Sequence, residues 1–140
     1  MIKLAEAAKI AEAAFDEGRV RGLIDMSVVV TDVGGNIRLA MRADGQGAFG
    51  IDIARGKALT ALGFNSSSLK LAEYFGQNAA ATAGLTAVTG GRFLAIGGGV
   101  IVVDDAGQTI GAAAVCGGAP EIDHAVILAG LAAAGLKAGD

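Results

Sequence analysis

The chain has 140 residues, a formal net charge of −3 and one cysteine, which together point to one domain without an internal disulfide. Charges are scattered with no basic run, arguing against a nucleic-acid or anionic-membrane surface, and the single thiol fits a reducing, cytoplasmic compartment. Hydrophobic residues reach 53% while aromatics are only 4% and tryptophan is absent, so Ala, Val, Ile and Leu must build the interior. That much apolar surface on a small domain predicts a homo-oligomer, with part of it covered at a subunit interface.

Residues 2–17 set Leu4, Ala7, Ala8, Ala11, Ala14 and Phe15 at helical spacing and predict an amphipathic helix ended by Gly18. With its acids and no long apolar block, it resembles neither a signal peptide nor a membrane span. Two β-rich runs follow at 26–31 and 37–42, joined by DVGGN, whose glycines and Asn36 supply a tight hairpin turn. Helices are expected at about 51–63 and 67–77, with Ser66 or Ser67 as N-cap of the second. Residues 79–91, AAATAGLTAVTGG, are small and weakly periodic and read equally as loop or irregular helix. RFLAIG and GVIVVDDAGQTIGAAAV then give three β-rich runs around Gly97–Gly99 and a second Asp/Gly turn. A last helix is predicted from Pro120 to about Lys137. Strands grouped rather than alternating with helices predict an α+β fold around an antiparallel sheet, spanning residues 1–140 as one domain.

Three stretches carry candidate chemistry. Arg42 and Asp44 leave the second strand ahead of Asp52, Arg55 and Lys57 on the next helix, where cations can anchor or polarise an oxyanion. The alternative there is an Asp52–Arg55 surface pair with a solvated Lys57. Gly97, Gly98 and Gly99 stack backbone amides that suit an anion, or else form a tight bend. The third stretch, AAVCGGAPEIDH, holds Cys116, Gly117, Glu121, Asp123 and the chain's only histidine, His124. Glu121 and Asp123 also suit the positive end of a helix dipole. A lone cysteine outside any Cys-x-x-Cys pair predicts no metal site built from this chain.

Taken together, VVVTDVGGN, Arg-x-Asp-Gly at Arg42–Gly45, Lys-Ala-x-Thr-Ala at Lys57–Ala61, the Gly97–Gly99 cluster and G-x-x-x-V-x-G-G before the last helix resemble the GlcG/HbpS-like family. The resemblance covers nearly the whole chain. It implies a profilin-like fold with a five-stranded antiparallel sheet flanked by helices, homo-oligomers, and in some members haem binding. Relatives commonly have a serine where this chain has Cys116, and an Asp-Glu pair where it has Asp123-His124. Two functions follow as expectations. One is a small-ligand-binding protein holding haem or a related tetrapyrrole, with His124 first among the candidate iron ligands, ahead of Cys116, Tyr74 and the methionines. The other is a cofactor-independent catabolic isomerase, hydratase or lyase acting on a carboxylated or oxygenated metabolite. There Arg42, Lys57 and the Gly97–Gly99 amides would bind the substrate, and Asp44, Glu121, Asp123 or His124 would move the proton.

Overall fold

The computed structural model describes residues 1–140. In chain order the elements are α1 (Leu4–Val20), β1 (Ser27–Thr31), β2 (Ile37–Arg42), α2 (Gly50–Phe64), α3 (Ser68–Phe75), α4 (Ala79–Val88), β3 (Gly99–Val103), β4 (Thr109–Cys116), α5 (Pro120–Ala133) and β5 (Lys137–Gly139). The five strands form one sheet in the order β2-β1-β4-β3-β5, antiparallel at every pairing. This is the expected α+β architecture.

Alternation along the central strands sorts side chains to the two sheet faces. Val28, Val30, Val100, Val102 and Val115 form one core with Ala7, Ile10, Ala11 and Ala14 of α1 and Val126, Ile127 and Leu131 of α5. On the other face Val29, Ala112 and Ala114 meet Ala54 and Ala58 of α2. Small residues set these spacings. A Cβ on Gly130 of α5 would lie 2.8 Å from the Ile10 carbonyl oxygen, so α1 and α5 cross with backbones nearly touching. Ser27 and Thr31 on the α2 side of β1 are buried, and their hydroxyls have no hydrogen-bond partner.

The two hairpins close by the same chemistry. The Asp32 carboxylate accepts from the amides of Gly34 (2.9 Å) and Asn36 (3.0 Å), and Asp104 accepts from Ala106 and Gln108 (both 2.9 Å). Gly35 (φ 78°) and Gly107 (φ 77°) take the left-handed conformation that each turn requires. The Asn36 amide, ahead of smaller effects, holds the Asp32 carboxyl below its ordinary range.

Three expectations are corrected, and the open reading of residues 79–91 is decided. α1 runs through Gly18, which is a packing residue: a Cβ there would collide with Met26 Sδ. RFLAIG is not a strand, because the Leu94 amide donates to Thr60 Oγ1 (2.7 Å) rather than to a neighbouring strand. The fifth strand is instead β5, and α5 stops at Ala133 because Gly135 (φ 72°) turns the chain back along β3. Residues 79–88 are a helix, N-capped by Asn78 Oδ1 accepting from Ala81 N (3.0 Å). Ser67 caps α3 as expected, its Oγ accepting from Lys70 N at 3.2 Å.

Candidate functional site

α2 carries Lys57 across the sheet face to the point where β4 ends and α5 begins. Lys57 is 3% exposed and Asp123 1%, and their Nζ and Oδ2 atoms lie 2.9 Å apart. Lys57 Nζ also donates to the Val115 carbonyl at 3.0 Å. Asp123 accepts from the amides of Gly118 (2.8 Å to Oδ1) and Gly117 (3.3 Å to Oδ2), which ties the β4–α5 turn to its helix. Every charge in this corner is met by charge-assisted hydrogen bonds, the condition under which a buried pair is tolerated.

The glycine triplet belongs to the same corner. Gly98 has φ 126°, and a Cβ there would sit 2.6 Å from the Val115 oxygen, 2.9 Å from Asp123 Cβ and 3.0 Å from Lys57 Nζ. A Cβ on Gly99 would collide with the Lys57 carbonyl, and the Gly99 amide donates to Ser68 Oγ at 2.8 Å. These glycines let β3 and α2 approach until the lysine reaches its partner.

Cys116 lies beside this pair, half-buried. Gln46 Nε2 reaches its Sγ at 3.6 Å and its carbonyl oxygen at 3.5 Å. Burial pushes the thiol up; Lys57 pulls it down, Asp123 raises it and the Gln46 hydrogen bond lowers it. The result is a protonated thiol rather than an activated thiolate.

The structure thus gathers Lys57, Gly97–Gly99, Cys116, Gly117 and Asp123. None of the remaining expected site residues bonds to the buried pair, although Arg42 reaches Gln46 beside Cys116 and Glu121 lines a cavity with Gly97. Arg42 is exposed and donates from Nη1 to the Gln46 carbonyl (2.9 Å), and Asp44, Arg55 and Glu121 are exposed. Asp52 and Arg55 form no ion pair, and Lys57 is not solvated. His124 is one residue beyond Asp123, about 100° further round the helix. Its imidazole is held below its ordinary range by burial, against an upward pull from Asp140. Its Nδ1 is buried without a partner. No group of three or more His, Cys, Asp or Glu residues is placed to hold a metal ion.

None of the five cavities is lined by Arg42, Asp44, Lys57, Cys116, Asp123 or His124. The largest, of about 850 Å³, lies elsewhere, between the α3–α4 corner and residues 91–96. Phe75, Ala79, Ala83, Phe93, Leu94 and Ile96 give it apolar walls, and no His, Cys, Tyr or Met lines it. The rings of Phe64, Phe75 and Phe93 brace one another edge to face, with centroids 5.5–5.7 Å apart. Sequence reasoning missed Gln46, Ser68 and this groove. Only the run Ser66–Ser68 carried a signal, since one serine caps α3 and another is left to bond β3.

A protein-family model for HbpS-like haem-degrading proteins matches residues 2–132. The chain belongs to this family. Among solved structures it resembles the Klebsiella pneumoniae protein ORFY, with 28% identity, a TM-score of 0.86 and coverage of 96% of this chain and 90% of that one. A double mutant of Streptomyces reticuli HbpS shares 30% identity over 94% of this chain and 85% of that one, with a TM-score of 0.79. The PduOC protein, solved as a haem complex, shares the fold at a TM-score of 0.87 with 22% identity, over 99% of both chains. No curated protein matches the chain. No helix of this HbpS-like chain is long and apolar enough to cross a membrane.

Proposed function

We propose that this protein is a small-ligand-binding member of the HbpS-like family whose ligand is a flat, largely apolar molecule, with haem or a related tetrapyrrole as the first candidate. The observation that carries the reading is the 850 Å³ groove, within the range of about 300–1,000 Å³ common for cofactor-sized sites and walled by two braced phenylalanines. Family membership supports the ligand class. Self-association fits the same picture, because α4 is uncharged and buries none of its residues within one chain.

The fit to haem is partial. The groove walls suit a macrocycle face, but they offer no axial ligand for iron. His124 lines no cavity, and ligation through its Nε2 would put the proton on Nδ1. That would leave a buried N–H without an acceptor, at a cost of about 1–3 kcal/mol. Binding in this reading rests on the macrocycle and not on the metal. Acid/base catalysis is the weaker reading: Arg42 and His124 line no cavity, Lys57 and Asp123 are engaged with each other, and of its expected residues only Gly97 and Glu121 share a cavity.

Titration with hemin and with metal-free protoporphyrin IX, followed by Soret absorbance and porphyrin fluorescence, tests the proposal. Both porphyrins are expected to bind with similar affinity, both to be lost in Ala83→Trp, and neither to be affected by His124→Ala. Ala83 is exposed on α4, so the tryptophan obstructs the groove without disturbing the core. Binding of hemin alone, abolished by His124→Ala, would overturn the groove assignment. Binding of neither porphyrin would overturn the tetrapyrrole reading.

A further inference from the structure

A second cavity, of about 340 Å³, opens on the other side of Phe93, between the β1–β2 turn, α2 and residues 89–93. Leu59, Leu62, Phe64 and Phe93 supply an apolar interior. Two polar groups converge on it. Thr60 is 3% exposed, and its Oγ1 accepts from the Leu94 amide, so its own proton remains free to donate. Arg92 stands at the rim with Nε anchored to the Thr89 carbonyl at 2.7 Å, which leaves its terminal N–H groups unpaired.

The backbone builds this mouth deliberately. Gly90 (φ 64°) and Gly91 (φ 83°) turn the chain after Thr89. Gly56 lets the segment close on α2, because even a Cβ there would lie 3.2 Å from Leu94 Cβ. A separate cleft of about 160 Å³ shares Leu59 and Arg92 with this cavity and adds Arg55, likewise without an ion pair, and Asp52. The local balance is two guanidiniums against one carboxylate on a chain whose net charge is −3. An anchored, unpaired guanidinium at the rim of an apolar pocket suits an anion on a compact hydrophobic body, and a carboxylate, planar and bidentate, fits its fork.

We infer that this cavity is a binding site for small apolar monocarboxylates of the arylcarboxylate or short-chain acid class, with Arg92 pairing the carboxylate and the Thr60 hydroxyl donating to one of its oxygens. The site is separate from the tetrapyrrole groove and does not depend on that reading. Its volume, near the lower end of the range for ligand pockets, selects a single ring or a short chain.

Nitrogen-15-labelled protein titrated with para-isopropylbenzoate, and in parallel with the neutral para-isopropylbenzamide, provides the test through amide chemical shifts. Saturable shifts are expected at Gly34, Gly35, Gly63 and Arg92, with the amide ligand binding about tenfold more weakly than the acid. Arg92→Gln should weaken the acid by about tenfold, leave the amide unchanged and raise no question of folding, since Arg92 is exposed. Gly63→Phe should block both ligands: Gly63 lines the cavity, is exposed, and has nothing within 4 Å of an added Cβ. Ala83→Trp, in the other groove, should block neither. Equal binding of acid and amide, an unchanged affinity in Arg92→Gln, or shifts confined to the α3–α4 groove would overturn the assignment.

Discussion

Replacing Lys57 with methionine asks what the buried pair contributes. Methionine retains an unbranched stem that can follow the lysine's course over Gly98 and Gly99, so the main change is the lost ammonium. Asp123 would keep its amide bonds to Gly117 and Gly118 but lose its only counter-charge, and the Val115 carbonyl would lose a donor. Removing one member of a buried ion pair costs about 3–5 kcal/mol. That is a large part of the roughly 7–21 kcal/mol expected for 140 residues, and corresponds to a fall in Tm of about 10–20 °C. With no tryptophan to report unfolding, urea denaturation followed by far-ultraviolet circular dichroism is the suitable assay. The double variant Lys57→Met/Asp123→Leu should recover stability relative to Lys57→Met, since the Gly117 and Gly118 positions are exposed and water can satisfy their amides. A single-variant loss below about 1 kcal/mol, or a double-variant loss equal to the sum of the singles, would refute the argument.

His124 makes stability depend on pH. Its folded pKa is depressed, so the unfolded chain takes the proton first: stability is full above the ordinary imidazole value of about 6.5 and declines as pH falls through it toward the folded value. His124→Gln should flatten that decline in urea midpoints measured between about pH 7.5 and pH 5. An equal slope in both proteins would show that other groups control it. Gly98→Ala should lose about 3 kcal/mol through its positive φ and the contact with the Val115 oxygen. Gly107→Ala, at φ 77° with open space around the added Cβ, should lose about 1–2 kcal/mol; denaturation curves that reverse this order would contradict the crowding argument.

Elements whose signal is local were readable from the sequence. The α1 stripe, the DVGGN hairpin and the serine cap of α3 each place cause and effect within a few residues. RFLAIG misled because Phe93 is buried against the Phe64 and Phe75 rings while the Leu94 amide bonds a threonine and Ile96 stays exposed, an arrangement that a run of apolar residues cannot distinguish from a strand. β5 has three residues, too few to leave a pattern, and α4 lacks a stripe because it packs against almost nothing within the chain. The members of the buried corner were each visible as unusual residues. Their partnership was not: Lys57 and Asp123 are 66 residues apart, and each alone reads as a solvated or helix-starting charge. The two cavities depend on how Phe93 and the 89–93 turn settle against α2 and α3, which no short-range pattern encodes.

The outer strands of the sheet are β2 and β5, and the two margins are protected differently. β2 is exposed along most of its length, but it carries Arg38 and Arg42, whose charges discourage another strand from docking. The β3 margin is apolar, and what screens it is the three-residue β5 paired with Ile101, Val102 and Val103. This short ribbon lies beyond residue 132, where the family match ends. Cutting the chain there would remove no part of the haem-family signature, yet it would uncover a Val/Ile strand primed for edge-to-edge aggregation.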